Sequence, residues 1–90
     1  MTVEEIEDIN PEALLCDGFD EAIIGMAERI NLGPVVAYDV DKMLEIMVKR
    51  DGMTYEEAME YFDYNILGAW MGENTPVYIQ TNRIWIKKEK

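Results

Sequence analysis

Apolar positions along the chain recur at two spacings, and each change of spacing marks a new element. Between Asp17 and Asn31, Ile23, Met26, Ala27 and Ile30 return every three or four positions behind acids suited to a first helical turn. That spacing predicts an amphipathic helix, capped by Asp17 or Asp20 and stopped at Asn31 and Gly33. Gly25 inside it costs up to ~1 kcal/mol against alanine, which implies a second backbone packed closely there. The next run, "PVVAY" from Pro34 to Tyr38, is short, β-branched and introduced by proline, so it reads as a buried strand. Asp39 or Asp41 then caps a helix in which Val40, Met43, Leu44, Met47 and Val48 share a face, with Lys49 and Arg50 near its C-terminus and Gly52 at its end.

Thr54 followed by Glu57 is a capping box: the hydroxyl accepts from a free backbone amide and the carboxylate reaches back to the cap amide. In the helix it opens, Tyr55, Ala58, Met59, Phe62 and Ile66 form the apolar face, while Glu56, Glu60 and Asp63 lie together on another. Beyond Gly72 the period becomes two. Val77 and Ile79 alternate with Tyr78 and Gln80, and Ile84 and Ile86 alternate with Arg83, Trp85 and Lys87, which predicts two short strands turning at Thr81 and Asn82. At the other end, "NPEALLCDG" predicts a short helical turn capped by Asn10 with Pro11 in its first position. Residues 1–9 are expected to be mobile. The sum is an α+β domain spanning 1–90, with about four helices, two of them long and clearly capped, on a sheet of about three strands.

Composition narrows what such a domain does. With 49% hydrophobic residues and three prolines the chain can bury a core, yet 90 residues with Trp70, Trp85, five tyrosines and seven methionines hold more large apolar side chains than one small core covers. A homo-oligomer, most simply a dimer, is expected. Neither histidine nor serine occurs, which excludes serine–histidine triads and imidazole chemistry, and the single Cys16 has no usual base beside it and reads as a small buried thiol. No apolar run is long enough to span a membrane and the N-terminus is acidic, so a cytoplasmic location is expected.

Charge changes the picture most. The net of -11 is uneven: Glu4, Glu5, Glu7, Asp8, Glu12, Asp17, Asp20, Glu21 and Glu28 precede the first base, whereas Arg83, Lys87, Lys88 and Lys90 crowd the C-terminus. Such a surface repels nucleic acid and anionic membrane and suits a basic protein partner, or a protein that ordinarily binds nucleic acid.

The blocks "DGFDEAIIG", "VVAYDVDK" and "RDGMTYEEAMEYFDYNILGAWMGENTPVYI" resemble a family of small uncharacterised proteins associated with tailed-phage genomes and related bacterial elements, over residues 17–79. The resemblance implies an accessory role against a host component and carries over no catalytic or binding residue.

Candidate chemistry gathers around the third helix. Its turn and cap resemble a helix-turn-helix, but Glu56, Glu57, Glu60 and Asp63 would face phosphates, so direct DNA reading is set aside. Glu56, Glu60 and Asp63 share a stripe that suits Mg²⁺ or Ca²⁺, with Asp39 and Asp41 as further ligands; without a glycine-rich cation loop the plainer reading is a solvated face, and no metal or cofactor is assigned. The same stripe has axial steps of ~6 and ~4.5 Å, near the spacing of successive phosphates, which suits a nucleic-acid mimic. Tyr38, Asp39, Asn65 and Trp70 are a possible pocket, with Asn65 expected to be partly buried between Phe62 and Ile66. The expected function is therefore a non-enzymatic, acidic phage-type accessory protein that binds and modulates a host or phage protein through Glu56, Glu60 and Asp63, as a nucleic-acid mimic or anti-defence factor. The alternative is an oligomer binding a small ligand such as a nucleotide, for which Arg29, Lys42, Lys49, Arg50 and Arg83 are the cations in the folded body.

Overall fold

Three α-helices and a three-stranded mixed sheet make up the computed structural model, which describes residues 1–80. Helix α1 (Val3–Ile9) leads through turns and a 3₁₀ segment (Asp20–Ala22) to strands β1 (Ile23–Arg29) and β2 (Leu32–Asp39). Helix α2 (Val40–Asp51) and helix α3 (Tyr55–Tyr61) follow, α3 running on as a π-helical turn (Phe62–Leu67) before strand β3 (Val77–Ile79). The α+β class agrees with the sequence pattern; the expected four helices become three. The expected strand at 83–87 lies outside the described residues.

The largest correction is at 17–31, where a helix is expected and β1 is found. β1 pairs antiparallel with β2, Met26 opposite Val36 and Ala27 opposite Val35, and the register shifts between Ile23 and Gly25 and again between Ala27 and Arg29. The first shift explains the misleading spacing. An irregularity of this kind inserts a residue, so Ile23 and Met26, three apart, both turn toward the helical layer and imitate a helical face. Ile30, which seemed to continue that face, is 89% exposed in the turn, where Asn31 takes φ 64°. Gly25 has no atom near where a Cβ would sit, so the expected close backbone neighbour is not there either.

The N-terminus carries a short capped helix. Thr2 and Glu5 form a capping box, with Thr2 Oγ1 accepting from the Glu5 amide at 3.2 Å and Glu5 Oε1 from the Thr2 amide at 2.8 Å, and Ile6 is buried. Burial of that isoleucine holds residues 3–9 in place as α1. The segment after it makes turns, not a helix: Asn10 Oδ1 accepts from the Glu12 amide, while its Nδ2 donates to the Pro34 carbonyl at 2.7 Å.

Helix α2 starts and stops as its sequence requires. Asp39 caps it by accepting from the Lys42 amide at 3.3 Å, and Gly52 ends it at φ 72°, a left-handed conformation that side chains disfavour. Its Val40, Met43, Leu44 and Met47 are fully buried against Val36 and Tyr38 of β2 and against Ala58, Phe62 and Ile66 of the α3 segment. β3 then pairs parallel to β2, Tyr38 beside Tyr78, so α2 and α3 together form the crossover between two parallel strands.

Candidate functional site

The site is built on the aromatic end of the sheet. Pairing sets Tyr38 and Tyr78 side by side on the helical face, their rings stacked with centroids 6.1 Å apart, and Phe62 meets Tyr78 edge-on at 5.4 Å. The turn at 14–19 closes over them: the Cys16 amide donates to Tyr38 Oη at 2.7 Å, and Cys16 Sγ lies 3.3 Å from Tyr78 Oη. Burial pushes Tyr38 up to about 12 and raises Tyr78 and Cys16 above their ordinary values. At neutral pH this cluster is therefore two phenols and a thiol, a floor without charge and without a thiolate nucleophile.

Above that floor lies a cleft of about 240 Å³. The 14–19 segment supplies one wall through Leu14, Asp17 and Phe19; Tyr61, Asn65, Ile66 and Ala69 form the opposite one, and Met71, Thr75 and Pro76 close the end. The closing loop is pinned. Thr75 Oγ1 accepts from the Met71 amide at 2.8 Å and donates to the Gly72 carbonyl at 2.6 Å, and the Leu14 amide donates to the Asn74 carbonyl at 3.1 Å. The π-helical wall ends at Gly68, where a Cβ would come within 3.2 Å of the carbonyls of Asp63 and Tyr64.

A second, shallower groove adjoins the cleft and shares two residues with it. Met53, Glu57, Glu60, Tyr61, Tyr64 and Asn65 line it, so Tyr61 and Asn65 form the seam between an apolar cleft and an acidic groove. Around them the surface is aromatic and open, with Tyr64 83%, Trp70 74% and Met71 69% exposed.

A third concavity, of about 560 Å³, runs between the 18–21 segment and α2 and collects Lys42, Lys49 and Arg50, with Asp20, Glu21 and Glu45 among its other walls. These cations are already engaged. Glu45 holds Lys42 at 3.4 Å and Lys49 at 3.0 Å, which keeps its carboxyl below the usual range, with the Lys49 hydrogen bond the main cause. Arg50 forks onto Asp51, donates to the Gly18 carbonyl at 2.7 Å and lies 5.1 Å over the Phe19 ring. Arg29 is spent on the backbone as well, bonding the carbonyls of Gly33 and Glu73.

The residues singled out from the sequence fare differently. Glu56, Glu60 and Asp63 are exposed, and Glu60 lines the acidic groove. Asp63 falls in the π turn, whose wider coil moves it off the regular α-helical stripe. Among the described residues no three acidic or thiol side chains converge in a way that would hold a metal ion. Of Tyr38, Asp39, Asn65 and Trp70, Asn65 lines the cleft and the acidic groove. Tyr38 is consumed by the core, Asp39 is a helix cap, Trp70 is exposed, and Asn65, expected to be partly buried, is exposed because Phe62 and Ile66 take the inward positions of their turn. Its amide has no hydrogen-bond partner among the described residues. Sequence reasoning missed Tyr61, Tyr64 and Met71, although Tyr61, Tyr64 and Asn65 stand at helical spacing from one another. No helix among the described residues is long and apolar enough to cross a membrane. Comparison with protein-family models, with curated proteins and with solved structures gave no match.

Proposed function

We propose that the protein is a non-enzymatic, acidic accessory protein that binds a basic surface on a protein partner through the outer side of α3 and its π turn. The observation that carries this reading is the contrast in how charge is held. Lys42, Lys49, Arg50 and Arg29 are all tied to internal partners, whereas Glu56, Glu60 and Asp63 stand exposed on the α3 segment, Glu60 sharing a groove with Tyr61 and Tyr64, and Trp70 and Met71 are exposed just beyond it. Aromatic and methionine side chains supply contact area at interfaces, and carboxylates around them steer a cationic partner and select against anionic ones. The resemblance of residues 17–79 to small phage-associated proteins agrees with a stoichiometric role of this kind. The test is titration of Lys/Arg-rich peptides at several salt concentrations into the wild type and the Glu56→Lys/Glu60→Lys/Asp63→Lys variant. Binding that weakens with salt and is lost in the variant supports the reading; binding indifferent to both rejects it.

A second reading, an oligomer binding a small anionic ligand, draws on the groove beside α2, whose volume falls within the ~300–1,000 Å³ usual for ligand sites. It ranks second because an anion there must displace Glu45, Asp51 and the Gly18 carbonyl from the cations it needs. Self-association through the exposed Ile24, Ile30 and Leu32 of the β1–β2 hairpin belongs to this reading, and light scattering measures it directly.

A further inference from the structure

We infer that the partner is recognised as a short segment with one apolar side chain flanked by Lys or Arg, the apolar group seated in the cleft over Tyr78 and the cations laid on Glu57 and Glu60. This inference rests on the basic-partner reading and adds to it what the cleft selects.

Volume decides first. The cleft measures about 240 Å³, below the ~300–1,000 Å³ of small-molecule sites, while a cavity of ~150 Å³ lined by aliphatic and aromatic groups already accommodates benzene. One leucine- or phenylalanine-sized side chain matches it; a nucleotide would have to run on into the adjoining groove, where Glu57 and Glu60 repel its phosphates. The lining decides next. Phe19, Ile66, Ala69 and Met71 offer apolar contact, and the Tyr78 and Cys16 groups on the floor are uncharged and hydrogen-bonded to each other, so an apolar group seated on that floor strips no ion of water there.

Charge then fixes the flanks. The groove continuous with the cleft carries Glu60 and Glu57 beside Tyr61 and Tyr64; Glu57 Oε1 accepts from the Thr54 amide at 2.9 Å, which leaves its other oxygen and the whole Glu60 carboxylate to meet a cation beside aromatic faces. Asp17 places a further carboxylate on the far wall of the cleft. At the seam the free Asn65 amide has a donor and an acceptor to spend on the backbone of an extended segment. Anchors of this kind, a buried side chain within a polar rim, carry most of the affinity in protein interfaces.

The experiment uses the full chain and three labelled peptides: a Lys/Arg-rich peptide with one central leucine, the same peptide with that leucine replaced by glycine, and the leucine peptide with its cations replaced by glutamate. Anisotropy titration is expected to show the first binding about ten-fold or more tighter than the second, the scale of burying one aliphatic side chain, and the third not binding. Amide shifts of the labelled protein should centre on Tyr61, Asn65, Ala69 and Met71. Ala69→Trp, which fills the cleft, should abolish the preference for leucine over glycine and leave the weaker, salt-sensitive binding; if that variant does not fold, the shift map of the wild type decides. Equal affinity for the leucine and glycine peptides, with shifts confined to Glu57 and Glu60, overturns the anchor and leaves the basic-partner reading standing. No binding of either basic peptide at low salt overturns both. Shifts at the same amides on raising the protein's own concentration alone would assign the cleft to a second copy and overturn the inference.

Discussion

Two concavities flank the helical layer, one beside α2 and one beside α3, and they treat charge in opposite ways. The α2 groove holds three of the four described cations, yet those charges are already engaged within the chain. The α3 surface joins a cleft of about 240 Å³ to a groove of about 360 Å³, its floor is neutral, and Glu60 and the Asn65 amide have open faces. A pocket with its charges paired has less to offer a ligand than one with unspent polar groups, because each internal pair must be broken before a new one forms. On the proposed reading the first region serves stability and the second recognition, and the two can be tested separately.

The largest effect is expected from alkali, acting on the α3 side. In the unfolded chain the Cys16 thiol titrates near 9.0 and the phenols of Tyr38 and Tyr78 near 10.0, while in the folded chain burial raises all three. The folded state thus keeps protons that the unfolded state releases. Its advantage is complete below those values and is lost as pH rises through them toward about 12, where Tyr38 titrates in the fold. Urea midpoints should be level up to pH 8 and fall steeply above pH ~10 as phenolate absorbance rises. A midpoint that stays level there would mean that the floor is open to water.

Next in size is the loss of recognition. Reversing Glu56, Glu60 and Asp63 together should weaken binding of a basic peptide by about 100-fold at low salt, at roughly 1 kcal/mol for each exposed charge, with a nearly unchanged melting temperature. Lys42→Gln, in the other groove, should leave affinity within about two-fold. A larger response to Lys42 would reverse the assignment of the two regions.

Arg50→Ala is the complementary variant. It removes the bond to Gly18 and the contact with Phe19 and should lower the urea midpoint while changing peptide affinity less than the triple reversal does. The smallest effects concern the helix starts. Thr54→Ala should cost about 1 kcal/mol and Thr2→Ala the same or less, because α1 buries Ile6 alone whereas the α3 segment buries Ala58, Phe62 and Ile66. A Thr2→Ala change that costs more than Thr54→Ala would show that α1 bears more of the fold than its single buried residue implies.

What the sequence made legible follows the range of the interactions involved. Both ends of α2 and the start of α3 are set by local chemistry within a few residues, and the caps at Asp39, Gly52 and Thr54 were readable for that reason. The Thr2–Glu5 box obeyed the same rule and was passed over; Ile6, through a distant contact, packs the helix it opens against the core. β1 was illegible for a deeper reason, because its helix-like spacing comes from a register shift that exists only once β2 lies beside it. The site divides likewise. The exposed carboxylates could be read from the faces of α3, but the seam at Tyr61 and Asn65 depends on a π turn that rotates the following residues and on a floor joining Cys16, Tyr38 and Tyr78.

The parallel pairing of β2 with β3 gives the molecule a built-in check on completeness. Tyr78 reaches its place only after α2 and α3 have formed and the chain has returned to the sheet, a long-range closure that comes late in folding and slowly. Until then Cys16 meets only Tyr38, and the cleft lacks Tyr78 from its floor. On the proposed reading, a chain still emerging from the ribosome, or one cut short before β3, displays its carboxylates without a finished socket and would attract a cationic partner without holding it.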